Sequence, residues 1–342
     1  MMKRKILIFA QGTIGDMITA LPAMKRIRDF FPDDILHLHN TYPGSSDIHK
    51  TLFDHLDWFD EMHFSQVRES LFASIRQRFE NWSRLFRNHY DMIFEFPNNR
   101  QTPRWILKSF CARQLYSMSS LDPKRVPRYR FLLDFLADCG IPRADGDETI
   151  HWNFQPEEQE RAEQWFANLP IPQGHVPFVM CTGGKSQAQH WPLDRYAEIL
   201  NSIVPRHHLF PVFVGGPADA ADAEYLKNEC GTGIFSREVG SISLREMVIA
   251  FRHFRFYFGN DTGVLHLAGA AGIPCVAVTT ARAPEKFWLP LGNGHQQIVA
   301  DVPCRDCREN ECPHGSPAPC IDKINCTDVF RRLDFLSWKT SV

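Results

Sequence analysis

The sequence lacks several features that would assign it to a common functional class. No apolar run approaches the roughly twenty residues that a membrane-spanning helix needs. The 38 Lys and Arg residues nearly balance the 40 Asp and Glu residues, and the net charge of −2 argues against general nucleic-acid binding. The first glycine loop has the spacing Gly12-x-x-Gly15, which is not that of a dinucleotide fingerprint, and no acidic ribose partner follows at the expected distance.

The pattern of the N-terminal segment does not predict a secretion signal. Met1–Lys5 is basic, as the start of a signal peptide would be, but the apolar run Ile6–Ala10 ends after five residues. That run is too short for the apolar core of a signal peptide, so we expect a cytoplasmic protein. In that reducing compartment the ten cysteines are expected to be thiols or metal ligands rather than disulfides.

The sequence does contain two blocks in which strand and helix patterns alternate. The first block begins with the apolar run Lys5–Ala10, and the second begins with Pro177–Thr182. An amphipathic stripe from Val67 to Phe86 predicts one long helix in the first block. The polar, glycine-containing stretch Pro142–Glu148 between the blocks is typical of a domain boundary.

This pattern predicts the fold class and the domain organisation. A chain of 342 residues with 44% hydrophobic content is long enough for two globular domains. We predict an α/β protein with two doubly wound, Rossmann-like domains that face a central cleft. The first domain is expected over residues 1–150 and the second over residues 151–325, followed by a C-terminal helix over residues 326–342.

The glycine loop supports two interpretations of Asp16. Gly12 and Gly15 can shape a strand-to-helix turn in which Asp16 is the N-cap residue. Alternatively, Asp16 is a general base, because the carboxyl end of a parallel strand is where open α/β sheets bind their ligands. Gly12, Thr13 and Gly15 would then leave room for an acceptor substrate beside the carboxylate.

The stretch Phe256–Val278 predicts a second ligand-binding turn. A buried strand leads into Asn260, Asp261 and Thr262, which are residue types that cap helices, and a helix rich in small residues follows. Gly263 removes a side chain where a ligand would approach the backbone. A helix N-terminus in this place suits a phosphate or a diphosphate, although an ordinary capped crossover has the same pattern.

Four segments, taken in order, resemble the ADP-heptose:lipopolysaccharide heptosyltransferase family. They are Gln11–Pro22, Thr182–Tyr196, Val214–Pro217 and Asn260–Pro274. The resemblance implies the two-domain GT-B fold and an inverting, metal-independent sugar transfer. It also implies a nucleotide-diphosphate sugar donor such as ADP-heptose, held by the C-terminal domain, and an acceptor hydroxyl on a lipopolysaccharide core or another cell-envelope glycan.

The resemblance also assigns roles to individual residues. Asp16 matches the family's catalytic base, while Asp261, Thr262, Gly263 and His266 match its donor-binding motif. Further donor contacts are expected from the turns of the matching segments, namely Thr182, Gly183, Lys185, Gly215 and Asn260.

The chain departs from the family pattern at one position. The family carries a lysine that contacts phosphate just before an X-Trp-Pro element, and these positions are Gln189-His190-Trp191-Pro192 here. Lys185 from the same loop, or Arg282 and Lys286 from the loop after a later strand, are candidates to supply the positive charge. His190 is expected to be a packed or hydrogen-bonding residue. The departure leaves open a non-catalytic protein that binds sugar nucleotides.

A basic run lies between Arg100 and Arg130, where Asp122 is the single acidic residue. Such runs are usually solvated surface. Arg100 and Arg104 would also suit an anionic glycolipid acceptor or an anionic membrane surface. We therefore place both arginines on the acceptor side and include peripheral association with the inner membrane among the expectations.

Half of the cysteines lie in the segment 304–326. The spacing Cys304-x2-Cys307-x4-Cys312-x7-Cys320 suits a structural zinc or iron ion held by four thiolates, although reduced loop cysteines would give the same sequence. No cofactor is expected for the sugar transfer itself. A cysteine-rich C-terminal segment also resembles the autotransporter heptosyltransferases, which bind iron there and modify protein hydroxyls. A protein acceptor therefore stays open beside a glycan, and a GT-B nucleotide-sugar epimerase is the rival from another enzyme class.

Overall fold

The computed structural model of the protein describes residues 3–43, 47–67, 71–96, 111–118, 121, 125–184, 189–230, 235–238, 241–309 and 311–336. The chain divides into two compact units. The first comprises Met1–Asp122 and Arg128–Asn153, and the second comprises Pro123–Pro127 and Phe154–Val342. Among the described residues, no helix is both long enough and apolar enough to cross a membrane.

The first unit is built on a five-stranded parallel sheet with the strand order β3-β2-β1-β4-β5. Its strands are β1 (Lys5–Gln11), β2 (Ile35–Pro43), β3 (Glu61–Val67), β4 (Tyr90–Glu95) and β5 (Ala112–Ser117), and its helices are α1 (Ile14–Phe30), α2 (Leu71–Asn88) and α3 (Arg128–Asp138). A 3-10 helix spans Asp47–Leu52. The carboxyl ends of the parallel strands meet at one edge, where β1 turns into α1.

Alternation along β1 explains why this strand lies in the centre of the sheet. Leu7 and Phe9 are buried in one cluster with Leu85 of α2 and Ile93 of β4. The residues between them are also buried, and α1 contacts β1 within the same unit. A strand that is buried on both faces must be apolar throughout, which the sequence Ile6–Ala10 satisfies.

The second unit is built on a six-stranded parallel sheet with the order β11-β10-β9-β6-β7-β8. Its strands are β6 (Val176–Cys181), β7 (Leu209–Gly215), β8 (Phe235–Glu238), β9 (Tyr257–Asn260), β10 (Cys275–Val278) and β11 (Gln296–Ile298). Its helices are α4 (Pro156–Ala167), α5 (Leu193–His207), α6 (Ala220–Glu229), α7 (Leu244–Phe251), α8 (Gly263–Ala270), α9 (Pro319–Asp322) and α10 (Cys326–Leu333).

The C-terminal helix is part of the core of this second unit. Val329 and Leu333 of α10 are buried in the same cluster as Trp191 and Phe258. The Trp191 indole N–H donates to the carbonyl of Ile324 at 2.9 Å, which ties the turn before α10 to the loop before α5. The described helix ends at Leu333 and a 3-10 turn follows, so it is shorter than the span predicted over residues 326–342.

A buried ion pair joins α4 to α7 inside the second unit. Arg245 donates from Nε to Glu158 Oε1 at 2.6 Å and from Nη2 to Oε2 at 3.0 Å. The two side chains are 0% and 4% exposed. The same Glu158 carboxylate accepts from the backbone N–H of Gln155 and so caps the first turn of α4. One carboxylate therefore starts this helix and anchors it to α7.

The fold confirms the predicted α/β class, with two units that each contain a parallel sheet and packed helices. One prediction is wrong in detail, because Val67 ends β3 and α2 begins at Leu71. Val67 pairs with Pro43 of β2, so hydrogen bonding to the sheet overrides the helical spacing of its side chain. Lys185, Arg100 and Arg104 lie outside the described residues.

Candidate functional site

In the first unit, the loop between β1 and α1 buries the carboxylate of Asp16. Asp16 is 5% exposed, and its Oδ2 accepts hydrogen bonds from the Thr13 backbone N–H at 2.9 Å and from the Thr13 hydroxyl at 3.1 Å. Thr13 is therefore the N-cap residue and Asp16 is the third helical residue, which corrects the alternative in which Asp16 itself is the N-cap. A negative charge in the first turn is favourable there.

Gly12 makes room for that carboxylate. A Cβ atom built on Gly12 would overlap the Asp16 carboxyl group, and the backbone φ of Gly12 is +148°, where other residues are strained. Its N–H donates to the Thr41 carbonyl at 3.0 Å, which fixes the loop to β2. The predicted role of Gly12 as a space-making residue beside Asp16 therefore has a clear geometric basis.

A buried arginine holds the same turn of α1 from a distant part of the chain. Arg128 is 2% exposed and donates from Nη1 to the Asp16 backbone carbonyl at 2.8 Å and to the Thr19 hydroxyl at 2.6 Å. Its Nη2 lies 4.0 Å from Asp16 Oδ1. Burial lowers the pKa of Arg128, and the Asp16 carboxylate opposes that shift. Arg128 thus orients Asp16. It also places a positive charge beside Oδ1, the carboxylate oxygen that Thr13 does not contact.

Further buried polar atoms at the ends of β1 and β2 make no hydrogen bond to any residue in the described ranges. They are Gln11 Oε1, Thr41 Oγ1 and both side-chain polar atoms of Asn40. Gln11 pairs with Thr41 across the sheet, and Asn40 pairs with Ala10. Buried polar groups are usually satisfied, so such atoms at the ligand-binding edge suit a hydroxyl-rich ligand or ordered water. No sequence motif indicated these atoms, because each residue lies inside a strand.

In the second unit, Asn260 holds together the loops at the corresponding edge of the sheet. Its Nδ2 donates to the carbonyls of Thr182 at 2.5 Å, Gly183 at 3.2 Å and Gln189 at 3.4 Å. Its Oδ1 accepts from the Tyr196 hydroxyl at 2.7 Å. Asn260 is 2% exposed, so the structure places this predicted donor contact as a buried support of the loops around it.

The first turn of α8 presents buried polar groups. Thr262 is the N-cap residue, and its side chain caps no helical N–H. The Thr262 Oγ1 and His266 Nδ1 atoms are both buried and make no good hydrogen bond within the described residues. His266 Nε2 lies 3.4 Å from Asp261 Oδ1. Thr262, Gly263 and His266 are thus brought together at a helix N-terminus, which suits an anionic ligand.

Two aspartates that the sequence analysis missed border the same edge. Asp222 accepts from the Thr182 hydroxyl at 2.8 Å, and Asp219 accepts from the Gly216 N–H at 2.8 Å. Burial raises the pKa of the Asp219 carboxyl. A Cβ atom on Gly183 or Gly215 would crowd Asp219, so both predicted glycines make room for this carboxylate. The only sequence signal was the spacing Asp219-x-x-Asp222 after a Gly-Gly-Pro turn.

The four predicted metal ligands line one pocket. Cys304, Cys307, Cys312 and Cys320 surround it, and the first, third and fourth of them pack in one apolar cluster. All ten cysteines of the chain are free thiols. Within the described part of the chain, no three His, Cys, Asp or Glu side chains are already arranged to hold a metal. The number and chemistry of the thiols fit a soft metal, and their side chains would have to converge on it.

Comparison with known proteins agrees with this architecture. A curated relative, the lipooligosaccharide heptosyltransferase 2 of Haemophilus influenzae, is 25% identical over 182 residues, which are 50% of this chain and 50% of that protein. The match thus spans about half the length of the relative. A family 9 glycosyltransferase from Veillonella parvula superposes with a TM-score of 0.72 at 16% identity, over 97% of both chains.

Two further solved structures have the same fold. The E. coli ADP-heptose LPS heptosyltransferase II superposes with a TM-score of 0.67 at 18% identity, covering 97% of this chain and 98% of that one. The iron-containing dodecameric glycosyltransferase TibC of enterotoxigenic E. coli superposes with a TM-score of 0.59 at 16% identity, covering 98% of this chain and 77% of that one.

These likenesses define the class of the protein. Two units with parallel sheets, one with a phosphate-type helix N-terminus, have the GT-B fold of the heptosyltransferases. The model of glycosyltransferase family 9 (heptosyltransferase) matches residues 100–317. The chain belongs to this family, as the resemblance of its four sequence segments implied.

Proposed function

We propose that the protein is an inverting glycosyltransferase that transfers heptose from ADP-heptose to a hydroxyl group. The observation that carries the proposal is the first turn of α8, where Thr262 Oγ1 and His266 Nδ1 are buried and make no good hydrogen bond to the residues that the structure describes. A buried polar group without a partner is costly, and a bound diphosphate would satisfy it. The choice of heptose as the donor sugar rests on the family and its relatives, since one similar structure is named for ADP-heptose.

The reaction needs a base and a stabilised leaving group. The acceptor oxygen attacks the anomeric carbon on the face opposite the diphosphate, and the bond from that carbon to the diphosphate oxygen breaks with both electrons leaving on ADP. Asp16 takes the proton of the acceptor hydroxyl, with Thr13 holding its carboxyl group and Arg128 bonded to its backbone carbonyl. The N–H groups of α8 and the Thr262 hydroxyl stabilise the charge that develops on ADP. No metal ion takes part in these steps.

For the acceptor we propose a lipopolysaccharide core or another cell-envelope glycan. One similar structure is named as an LPS heptosyltransferase, and the curated relative is named for lipooligosaccharide. The unpartnered polar atoms of Gln11, Asn40 and Thr41 beside the Asp16 loop suit a hydroxyl-rich ring. We place the protein in the cytoplasm, with peripheral association to the inner membrane that the basic run including Arg100 and Arg104 would favour.

The experiment is acceptor-dependent release of ADP. Purified protein is incubated with ADP-heptose alone, with a core glycolipid acceptor, and with a candidate protein acceptor. The proposal expects ADP release with the glycolipid and little release without an acceptor. Release with the protein substrate alone would move the acceptor class to proteins. Isomerised sugar nucleotide without ADP release would favour an epimerase, whose fold is shared by a UDP-GlcNAc 2-epimerase of similar structure. Binding without turnover on any acceptor would favour a non-catalytic binder.

Replacing Thr262 by Val is expected to have opposite effects on stability and on ADP binding. The substitution removes a buried hydroxyl that makes no good hydrogen bond, so the ligand-free protein should gain about 1 kcal/mol. ADP should bind about tenfold more weakly, because its phosphate loses one hydrogen bond. Urea unfolding and calorimetry measure the two effects. Loss of stability together with unchanged ADP affinity would show that this hydroxyl supports only the fold.

The cysteine segment is expected to carry one structural metal ion per chain. Four thiolates leave no open coordination position, so the ion would hold the segment Cys304–Cys320 and take no part in the transfer. We expect elemental analysis of protein purified without chelators to give one zinc or iron per chain. A Cys320→Ser variant should lose it, whereas Cys139→Ser, a thiol in the first unit, should not. Well under one metal per chain in the unaltered protein would contradict the expectation.

A further inference from the structure

The loop after β10 carries a positive charge that the fold leaves unpaired. Arg282 is half-buried, and within the described residues its guanidinium has no hydrogen bond and no ion pair. Its neighbours differ in this respect. Arg305 pairs with Asp301 at 3.0 Å and with Glu285 at 3.6 Å, so the acidic residue three positions after Arg282 is already engaged. A half-buried cation without a counter-charge is unfavourable unless a ligand supplies one.

The backbone of the cysteine segment fixes the position of this arginine. The Ala281 carbonyl accepts from the Asp306 N–H at 2.8 Å, and the Arg282 carbonyl accepts from the Arg308 N–H at 2.9 Å. Asp306 and Arg308 both have a left-handed backbone, with φ values of +59° and +61°. This conformation points their N–H groups toward the two carbonyls. Ala281 is 3% exposed and packs beside Cys320. The loop is thus held in place while its arginine side chain is left available.

The strand register places the loop next to the first turn of α8. Val278, the last residue of β10, lies opposite Asn260, the last residue of β9. Both strands run in parallel, so the residues after Val278 and those after Asn260 emerge at the same edge, about 5 Å apart. Arg282 lines the pocket of the four cysteines, and Gln189, whose carbonyl accepts from the Asn260 amide, lines that pocket too. Arg282 and the helix N-terminus therefore border the same region of the second unit.

The charges at this edge show which ligand group the arginine would meet. Asp219, Asp222 and Asp261 bring three carboxylates to it, and a diphosphate adds further negative charge. Helix N–H groups offset part of that repulsion. A guanidinium offers two parallel N–H groups that match phosphate oxygens. We propose that Arg282 binds the diphosphate of the nucleotide donor, and that the cysteine segment positions it through the backbone bonds to Ala281 and Arg282.

This inference rests on the proposed function only in assuming a nucleotide-diphosphate donor, and calorimetry with ADP and with adenosine tests it separately. Arg282→Gln should weaken ADP binding about 10- to 100-fold, since a charge-assisted contact to phosphate is lost. Adenosine, which has no phosphate, should bind the variant and the wild type equally. Lys323→Gln is the control, because it removes the same charge from an exposed position elsewhere in the second unit and should change neither affinity.

A second variant separates charge from folding. Gln189 lines the same pocket, so Gln189→Lys in the Arg282→Gln background should restore at least tenfold of the lost ADP affinity. Equal ADP binding by wild type and Arg282→Gln would overturn the proposal and leave the donor site intact. A parallel loss of adenosine affinity would also overturn it, by showing that the arginine only supports the fold. Failure of wild type to bind ADP at all would instead contradict the proposed function.

Discussion

Asp16→Asn is expected to lower turnover about 10²- to 10⁴-fold while ADP affinity stays close to that of the wild type. The amide oxygen of Asn can still accept the hydrogen bond from the Thr13 N–H, so the first turn of α1 keeps its cap. The amide cannot take the proton of an acceptor hydroxyl. Initial rates of ADP release, measured at saturating donor and acceptor, give the size of the loss.

The control for this variant lies on the same helix. Asp29→Asn makes the same chemical change at the exposed end of α1, where Asp29 pairs with Lys25 at 2.5 Å. Turnover should be unchanged there, because exposed pairs contribute little. If Asp16→Asn keeps near-normal turnover but unfolds several degrees lower, Asp16 is only a structural residue of the capping turn. The base would then have to be another group.

Glu158→Gln is expected to destabilise the second unit by about 3–5 kcal/mol. The substitution leaves the buried Arg245 guanidinium without its carboxylate, in a place where both side chains are almost completely shielded from water. The cost comes from an uncompensated buried charge. Urea unfolding followed by circular dichroism should show the loss, together with earlier fraying of α4, because Glu158 also caps that helix.

Two comparisons decide whether the charge is responsible. Glu163→Gln alters the same helix at an exposed position, where Glu163 contacts His253, and should change stability by less than about 1 kcal/mol. Replacing both partners, Glu158→Leu with Arg245→Met, should recover most of the stability, since well-packed apolar residues often substitute for a buried ion pair. If the double variant is no more stable than Glu158→Gln, then lost packing or the lost helix cap, and not the unpaired charge, is the main cause of the lost stability.

The sequence predicted strands that are buried on both faces of a sheet, and it did not predict the strands at the sheet edges. The predicted strands include β1, β6 and β9, and each is a nearly continuous apolar run that is buried on both faces. The strands that were not predicted are β3, β5, β8 and β11, and they are the four edges of the two sheets. Edge strands carry polar residues on the side that lacks a neighbour, so their pattern resembles that of a loop.

The site shows the same division between local and distant information. The loop holding Asp16 and the turn before α8 were located from the sequence, because a glycine loop and a helix start are local features. Arg128 was noticed only as one member of a basic run, since its bond to Asp16 spans 112 residues. The lack of a good hydrogen bond at Thr262 Oγ1 and His266 Nδ1, within the described part of the chain, could not be predicted either, because it depends on which distant residues the fold places around them.

The Asn260 side chain has a consequence for attempts to redesign donor choice. Its amide joins three carbonyls on the segment between β6 and α5 and also meets the Tyr196 hydroxyl of α5. Loops that bond to one buried amide cannot be exchanged singly. A replacement loop of different length would leave the hydrogen-bonding groups of the Asn260 amide buried without partners. The transplantable unit is therefore the run from Thr182 to Tyr196 together with Asn260, and chimaeras that respect this boundary should tolerate swapping better than those that cut through it.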